Sequence, residues 1–331
     1  MSAPRPESAD GPFPVRHVAD IDPQPAERQW LVDGLWLDQG VGILGGAPKC
    51  CKTWLAAEIA CAVASGTPAL GRFEVRRPGP ALLFCAEDSP PTLRRRIEGL
   101  VAVRGHELAH VPLLLLDIGE LRLDRATDVE RLRATVVRTR PRLLVLDPFV
   151  RLARIDENSA AEVSAVLGAL RRLQRDHELA VLVVHHARKS PASHPGQSLR
   201  GSSDFAAWGD SNLYLARRAG AIRLTLEHRS ASALPPLDLV LATEPVTHLA
   251  IATRDVTATA TATATTEPVD DLARDIMALL AERARPVTKN EIRDSLRRRN
   301  EDVRAALADL VARGLIRHVP DGWMLAPRQQ A

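Results

Sequence analysis

The chain has 331 residues, a length that predicts two domains or one large domain with an appendage. Hydrophobic residues make up 45% of it, which is ordinary for a protein that buries a core, and the net charge of +3 is too close to neutral to argue for nucleic-acid binding by itself. No run reaches 18 apolar residues and the first residues contain no apolar signal segment, so we expect no membrane span, no export and a cytoplasmic location.

The four cysteines argue against a zinc site. Cys50 and Cys51 are adjacent, so a disulfide between them would be strained, and Cys61 and Cys85 add no pair with zinc-ligand spacing. We therefore expect reduced, buried thiols of the kind found in cytosolic proteins.

An α/β domain is predicted for residues 29–253, after a Pro-rich, polar segment at 1–28 that predicts a flexible tail. Apolar runs alternate there with amphipathic stretches, which is typical of a βαβ series with a mostly parallel sheet. The predicted strands are 41–45, 80–86, 111–116, 142–147 and 179–184. The predicted helices are 52–65, 90–104, 127–139 and 159–176, the last with Asn158 or Ser159 as its cap and Glu162 in a capping box.

Past residue 208 the alternation changes, because strand-like runs follow one another without helices between them. We predict that these runs form antiparallel strands that extend the sheet. They are 211–216, 221–227, 237–242 and 246–252.

A separate small unit is predicted for residues 268–331, beyond a Thr/Ala-rich linker at 254–267. Its pattern indicates three helices, the second capped by Thr288, and a final hairpin, which together predict a winged helix-turn-helix. The third helix begins with two acids but follows three arginines at 297–299. Both DNA contact and docking to a protein therefore stay open for this unit.

Residues 46–53 form a phosphate-binding loop that departs from the pattern G-x-x-x-x-G-K-[ST] at Cys51. The backbone N–H groups of such a loop and of the helix that follows it cradle phosphates. Lys52 would reach the β and γ phosphates, and Thr53 would offer its hydroxyl to Mg²⁺. Only four of the 44 basic residues are lysines, so a lysine at this position supports the prediction. The candidate nucleotide-binding residues are Gly46, Ala47, Pro48, Lys49, Cys50, Cys51, Lys52, Thr53 and Trp54.

Cys51 stands where a glycine would let the backbone take a positive φ or approach a phosphate closely. A cysteine with positive φ costs about 1 kcal/mol. Because cysteine is small, we expect a modest rearrangement to accommodate it and nucleotide binding to persist, though more weakly. A thiol beside the phosphates would also make the site sensitive to oxidation.

Acidic residues follow two of the predicted strands. Asp147 ends the run Leu143–Asp147 and fits a Walker B carboxylate that holds Mg²⁺ through water. Glu87 and Asp88 follow the strand at 80–86, where one carboxylate would point toward the site and the other away. Glu87 could then polarise an attacking water, although a solvent-facing turn stays open as the alternative.

Two histidines, His185 and His186, follow the strand at 179–184. A polar group at this point could sense a γ-phosphate and relay its loss to the next loop. The alternative is a pair of surface histidines, and no further ligands at suitable spacing argue for a metal there.

These elements together resemble the RecA-fold ATPase core, most closely the RepA-like branch of the hexameric replicative helicases, over residues 29–253. The resemblance rests on Gly46-Ala47-Pro48 with Lys52-Thr53, Phe84-Cys85-Ala86-Glu87-Asp88-Ser89, Leu146-Asp147-Pro148, Val184-His185-His186-Ala187-Arg188-Lys189 and Arg200-Gly201-Ser202-Ser203. It implies that Glu87 is the catalytic base, that Asp147 is the Mg²⁺ partner and that the double histidine is the sensor.

The resemblance also implies a homo-oligomeric ring with ATP between subunits and an arginine finger supplied in trans, for which Arg229 and Arg200 are the candidates. In that family the loops corresponding to 189–204 face a central channel and touch DNA. This segment offers cations and few aromatics, so a grip on single-stranded DNA would be mainly on phosphates, and a surface loop without that role stays open.

The sequence therefore predicts an ATP-hydrolysing motor or loader that acts on DNA in its replication or maintenance. The alternative is a nucleotide-dependent regulatory switch, without helicase activity, whose winged helix binds DNA or a protein partner. A phosphotransferase is a more distant third, since no acceptor-site motif is visible.

Overall fold

The chain divides into two compact units, residues 1–256 and 257–331, which are described separately. Predictions for Arg200, for most of the loop at 189–204, for the linker at 254–267 and for the arginines at 297–299 fall outside the described residues. The computed structural model describes residues 13, 15–21, 29–187, 203–218, 221–244, 246–252, 271–283, 285–296, 303–304, 306–307, 310–311, 315–319 and 321–326.

The first unit is built from short strands and longer helices. Its helices are α1 (Lys52–Ser65), α2 (Pro90–Val103), α3 (Ala126–Thr139), α4 (Ala160–His177) and α5 (Asp204–Trp208). Its strands are β1 (Trp30–Val32), β2 (Trp36–Leu37), β3 (Val41–Gly46), β4 (Ala81–Cys85), β5 (Leu113–Leu115), β6 (Leu143–Asp147), β7 (Ala180–His186), β8 (Ser211–Arg218), β9 (Ala221–His228), β10 (Leu237–Ala242) and β11 (His248–Ile251).

A nine-stranded sheet runs in the order β11-β10-β9-β8-β3-β7-β6-β4-β5. Strands β3 to β8 are joined by parallel pairs, and β9, β10 and β11 extend the sheet by antiparallel pairs. The short strands β1 and β2 form a separate antiparallel hairpin that the sequence did not predict. The predicted mixed α/β fold with a mostly parallel sheet is confirmed.

Strand β8 corrects the prediction that every strand beyond residue 208 is antiparallel. It lies parallel to β3, with Leu213 opposite Leu44, and only its other neighbour β9 is antiparallel. Two parallel strands need a crossover connection, which returns the chain to the end of the sheet where both strands begin. Helix α5, which the sequence analysis does not predict, lies in that crossover.

Helices cover both faces of the sheet, which explains why the central strands are apolar along their whole length. Successive residues of a strand point to opposite faces. Thus Leu44 and Val145 pack on the face that carries α1 and α2, whereas Ile43 and Leu146 pack on the face that carries α4. Helix α1 is buried on nearly all sides and ends at Gly66, whose φ of 72° lets its N–H bond the carbonyl of Ala62.

The start of α4 differs in detail from the predicted capping box. Ser159, not Asn158, is the cap and accepts a hydrogen bond from the Glu162 N–H at 3.5 Å. The Glu162 carboxylate accepts from the N–H of Asp156 at 3.1 Å instead of reaching back to Ser159.

No helix among the described residues is long and apolar enough to cross a membrane.

The second unit contains α6 (Asp271–Arg283), α7 (Lys289–Leu296), further helical residues within 303–311 and an antiparallel hairpin of β12 (Ile316–Val319) and β13 (Gly322–Leu325). Thr288 begins α7 with a reciprocal capping box. Its N–H donates to the Glu291 carboxylate at 2.8 Å, and its hydroxyl accepts from the Glu291 N–H at 3.3 Å. The winged-helix assignment of this unit stays a prediction.

Candidate nucleotide-binding site

The loop between β3 and α1 keeps the backbone conformation that the missing glycine would take. Cys51 has φ 68° and ψ 27°, in the left-handed region, and Lys49 has φ 63°. The expected rearrangement of the backbone around Cys51 is therefore not seen. The loop instead bears the cost of two non-glycine residues at positive φ, about 1–2 kcal/mol each.

Gly46 is required because the chain closes tightly around it. A Cβ at this position would lie 2.6 Å from the Sγ of Cys50 and 2.6 Å from the carbonyl oxygen of Leu215 on β8. No side chain fits at those distances, so glycine lets the loop turn over the sheet end while Cys50 fills the space beneath it.

All four cysteines are free thiols. Burial raises the pKa of Cys50, and it raises the pKa of Cys61 and of Cys85 to about 12. These three therefore stay protonated at neutral pH, and only Cys51, which is partly exposed, borders the cavity described below.

Lys52 points back into the loop that precedes it. Its Nζ donates to the carbonyl of Gly46 at 3.1 Å and to that of Ala47 at 2.9 Å, and the residue is 7% exposed. A buried ammonium whose hydrogen bonds go to neutral carbonyls would gain from an anionic ligand.

Thr53 and Asp147 both border the cavity described below. Burial raises the pKa of Asp147 to about 6, against the lowering effects of the Thr53 hydroxyl and of the Lys52 charge, while Glu87 raises it further. A bound cation would reverse this cost, because it favours the ionised carboxylate.

The pair Thr53 and Asp147 fits Mg²⁺. This ion prefers oxygen ligands and usually takes only one or two from the protein, the rest being phosphate and water. Among the described residues no group of three or more His, Cys, Asp or Glu could hold a metal ion by itself. The Thr53 hydroxyl and the Asp147 carboxylate supply only two of the oxygen ligands of Mg²⁺. The ion would therefore bind here together with a phosphate ligand and water.

We predict that Asp147→Asn stabilises the nucleotide-free protein more at pH 8 than at pH 4.5. The pKa of Asp147 rises on folding from 3.8 to about 6, so the folded chain binds its proton more tightly and stability falls as pH rises through this window. Above pH 6 the buried charge costs about 2–3 kcal/mol, which asparagine avoids. Urea unfolding with a chelator present measures the difference, and Asp88→Asn is the control. An equal effect of Asp147→Asn at both pH values would contradict the prediction.

Glu87 and Asp88 separate as they leave β4. Asp88 pairs with Arg96 at 2.5 Å, and the Arg96 guanidinium lies 4.8 Å from the centre of the Trp54 ring. Glu87 instead borders the cavity with its side chain half exposed, and its carboxylate is 3.8 Å from Nε of Arg151. Of the two carboxylates, Glu87 is therefore the one beside the cavity, and it would have to turn from Arg151 to reach a ligand there.

The two histidines are the last two residues of β7, not residues beyond its end, so they face opposite sides of the sheet. His186 pairs in register with Gly46 and borders the cavity. His185 is buried on the other face, where its ring stacks on Phe205 at 4.1 Å and meets the edge of Phe149 at 5.6 Å. The structure therefore brings one histidine to the site and holds the other in the core.

The side chains that border the candidate site line one cavity of about 410 Å³. It lies at the carboxyl ends of the parallel strands, where open α/β sheets bind ligands. A cavity of about 490 Å³ beside Pro80, Arg142 and Glu178 lies at the amino ends, away from the loop. The first cavity is lined by Pro48, Lys49, Cys51, Lys52, Thr53, Trp54, Glu87, Arg96, Asp147 and His186.

Arg229, a predicted trans finger, lies at the end of the sheet opposite the loop. It follows β9, and its guanidinium pairs with Asp210 at 3.7 Å. Its contact with a neighbouring subunit stays a prediction.

Three arginines near the cavity were missed in the sequence, namely Arg96, Arg151 and Arg217. Arg151 lies shortly after β6 and Arg96 lies within α2, but the chain contains so many arginines that neither position gives a usable signal.

The AAA domain family matches residues 8–192, more than half of the chain. No curated protein matches the sequence. Similar solved structures include the ATPase domain of G40P (13% identity, TM-score 0.48, covering 63% of this chain and 84% of that one) and the RadB recombinase (18%, 0.46, 62% and 88%). A DnaB-like replicative helicase, solved to show its interactions with primase, is also similar (13%, 0.48, 62% and 56%).

Proposed function

Because the chain belongs to the AAA domain family, we propose that it binds ATP at the loop 46–53, hydrolyses it and acts as a RecA-like motor or loader on DNA. One observation carries the ATPase part. The residues Lys52, Thr53, Asp147 and Glu87 all border one cavity at the end of the sheet. A cation for phosphate, two oxygen ligands for Mg²⁺ and a carboxylate that can accept a proton from water are what phosphoryl transfer to water requires.

Substrate binding follows from the loop. The phosphates of ATP would lie against the N–H groups at the start of α1, and Lys52 would exchange two carbonyl partners for phosphate oxygens. Thr53 and Asp147 would hold Mg²⁺, which neutralises charge on the phosphate oxygens when bound. The guanidinium of Arg96, also in the cavity lining, adds positive charge on the same side.

Glu87 is the group suited to activate water. It would accept a proton from the attacking water as that oxygen bonds the γ-phosphorus and the bond to the bridging oxygen breaks, so that ADP and phosphate leave. Its carboxylate has first to turn from Arg151 toward the ligand. His186 lies beside Gly46 and would respond to loss of the phosphate and pass the change to the chain after β7.

The DNA part of the proposal rests on the likeness to RepA-like helicases stated above. We propose a homo-oligomeric ring in which Arg229 or Arg200 of one subunit completes the site of the next. The loop at 189–204 would then grip DNA phosphates, and the second unit would act as a winged helix that binds DNA or a partner.

The test is ATP turnover with and without single-stranded DNA, together with the oligomer mass with and without ATP. We expect turnover that single-stranded DNA stimulates several-fold, an ATP-dependent increase in mass and strand displacement on a forked substrate. The same oligonucleotide annealed as a blunt duplex is the control. Absence of ATP binding would overturn the whole proposal.

A regulatory switch is the second candidate, and the pairing of Glu87 with Arg151 favours it. A base held by a cation is slow to act until another signal releases it. Tight ATP binding with negligible turnover, with or without DNA, would support the switch against the motor.

A further inference from the structure

Arg217 extends from the end of β8 over the loop that precedes α1. Strand β8 runs beside β3 with Leu215 opposite Gly46, and Arg217 follows two residues later on the same face. Its Nε–H donates to the carbonyl of Lys49 at 3.1 Å, and its Nη2 lies 4.0 Å from the Sγ of Cys51. One side chain therefore touches both residues of the loop that have positive φ.

Those two residues are the strained points of the loop. Lys49 at φ 63° and Cys51 at φ 68° each occupy a region that side chains other than glycine and asparagine avoid. Such conformations persist only where surrounding contacts hold them. The Lys49 carbonyl is held by the Arg217 guanidinium, a charged donor that forms a stronger hydrogen bond than a neutral one.

Arg217 also brings positive charge to the same place as Lys52. Lys52 donates to the carbonyls of Gly46 and Ala47, and Arg217 donates to that of Lys49, so both charges lie against the loop. Both also lower the pKa of the Cys50 thiol, against the larger effect of burial. An anionic ligand in this loop would feel both of them.

We propose that Arg217 is a positioning residue for nucleotide binding, which holds the loop in its phosphate-accepting conformation and offsets the presence of Cys51 where a glycine is expected. This inference rests on the proposed nucleotide binding at the same loop. A residue with a general structural role would matter to the same extent whatever residue occupies position 51. The importance of Arg217 must depend on the residue at position 51, because a glycine there needs no such support.

The experiment is a double-mutant cycle on the full chain, with wild type, Arg217→Ala, Cys51→Gly and the double variant. Calorimetry gives the Kd for ADP and ATP with Mg²⁺, and turnover at saturating ATP gives kcat. We expect Arg217→Ala to weaken binding about tenfold in wild type but about threefold or less in the Cys51→Gly background. The kcat should change by less than about twofold, because Arg217 touches no reacting atom.

Arg223→Ala is the matched control, since Arg223 lies on the adjacent strand β9 and pairs with Asp238 at 2.9 Å instead of with the loop. It should leave the Kd unchanged. The wild-type Kd separates the two ideas: if wild type binds no nucleotide, the proposed function fails before Arg217 is tested. If wild type binds and Arg217→Ala binds equally well, or loses the same factor in both backgrounds, the role of Arg217 is overturned.

Discussion

Replacing Lys52 by alanine is expected to lower ATP turnover by about 10²- to 10³-fold. Its ammonium is buried within the loop and donates to the carbonyls of Gly46 and Ala47, so it is already aimed at the space where phosphates would lie. Among the described residues, Lys49 is the one other lysine that borders the cavity, and its carbonyl is engaged by Arg217. Steady-state phosphate release, with ATP affinity measured alongside, checks this result.

Lys289→Ala is the matched control for that experiment, because Lys289 begins α7 in the second unit. It removes the same side chain from one of the only four lysines of the chain and should leave ATP turnover unchanged. Thermal unfolding shows whether Lys52→Ala is folded. If Lys52→Ala is folded and turns over ATP as fast as wild type, the loop at 46–53 does not take part in ATP hydrolysis.

The core strands and the first helix follow from sequence because one physical pattern governs them. Buried parallel strands are apolar along their length, so β3, β4, β6 and β7 were predicted with ends within two residues of those observed. The hairpin of β1 and β2 was missed because strands of three and two residues are too short to show a period.

The site was predicted in outline and missed in its geometry. The ends of the predicted strands are enough to locate the loop, Glu87 and Asp147. The predicted strand β7, however, ends at residue 184, so both histidines were expected beyond the strand and not on its alternating faces. In the structure β7 includes both histidines, which therefore point to opposite faces of the sheet. His186 borders the cavity, and His185 lies in the core beside Phe205.

Conformation at Cys51 could not be predicted from residue type alone. The sequence shows that a glycine is replaced, yet whether the backbone moves or bears the strain depends on contacts from distant parts of the chain. Arg217 supplies such a contact from 166 residues away, beyond the predicted end of its strand at residue 216. Side chains that act across the fold in this way leave no local pattern in the sequence.

Replacing Glu87 by glutamine is expected to lower ATP turnover by about 10²- to 10⁴-fold while ATP affinity stays within about threefold of wild type. Glutamine keeps the size of the side chain but cannot accept a proton from water. Glu87 borders the cavity with a half-exposed carboxylate, so it contributes little to folding or to holding the phosphates. Single-turnover hydrolysis and a separate binding titration distinguish the two effects.

The neighbouring carboxylate provides the sharpest control for this prediction. Asp88 is adjacent in sequence but pairs with Arg96 at 2.5 Å, so Asp88→Asn should not reproduce the loss of turnover. Arg151→Ala tests the reverse direction, because it frees Glu87 from its cation. If that pairing restrains the base, turnover should rise in Arg151→Ala and the rise should vanish when Glu87→Gln is added. Equal losses in Glu87→Gln and Asp88→Asn would instead mean that the local charge matters and that neither carboxylate acts as the base.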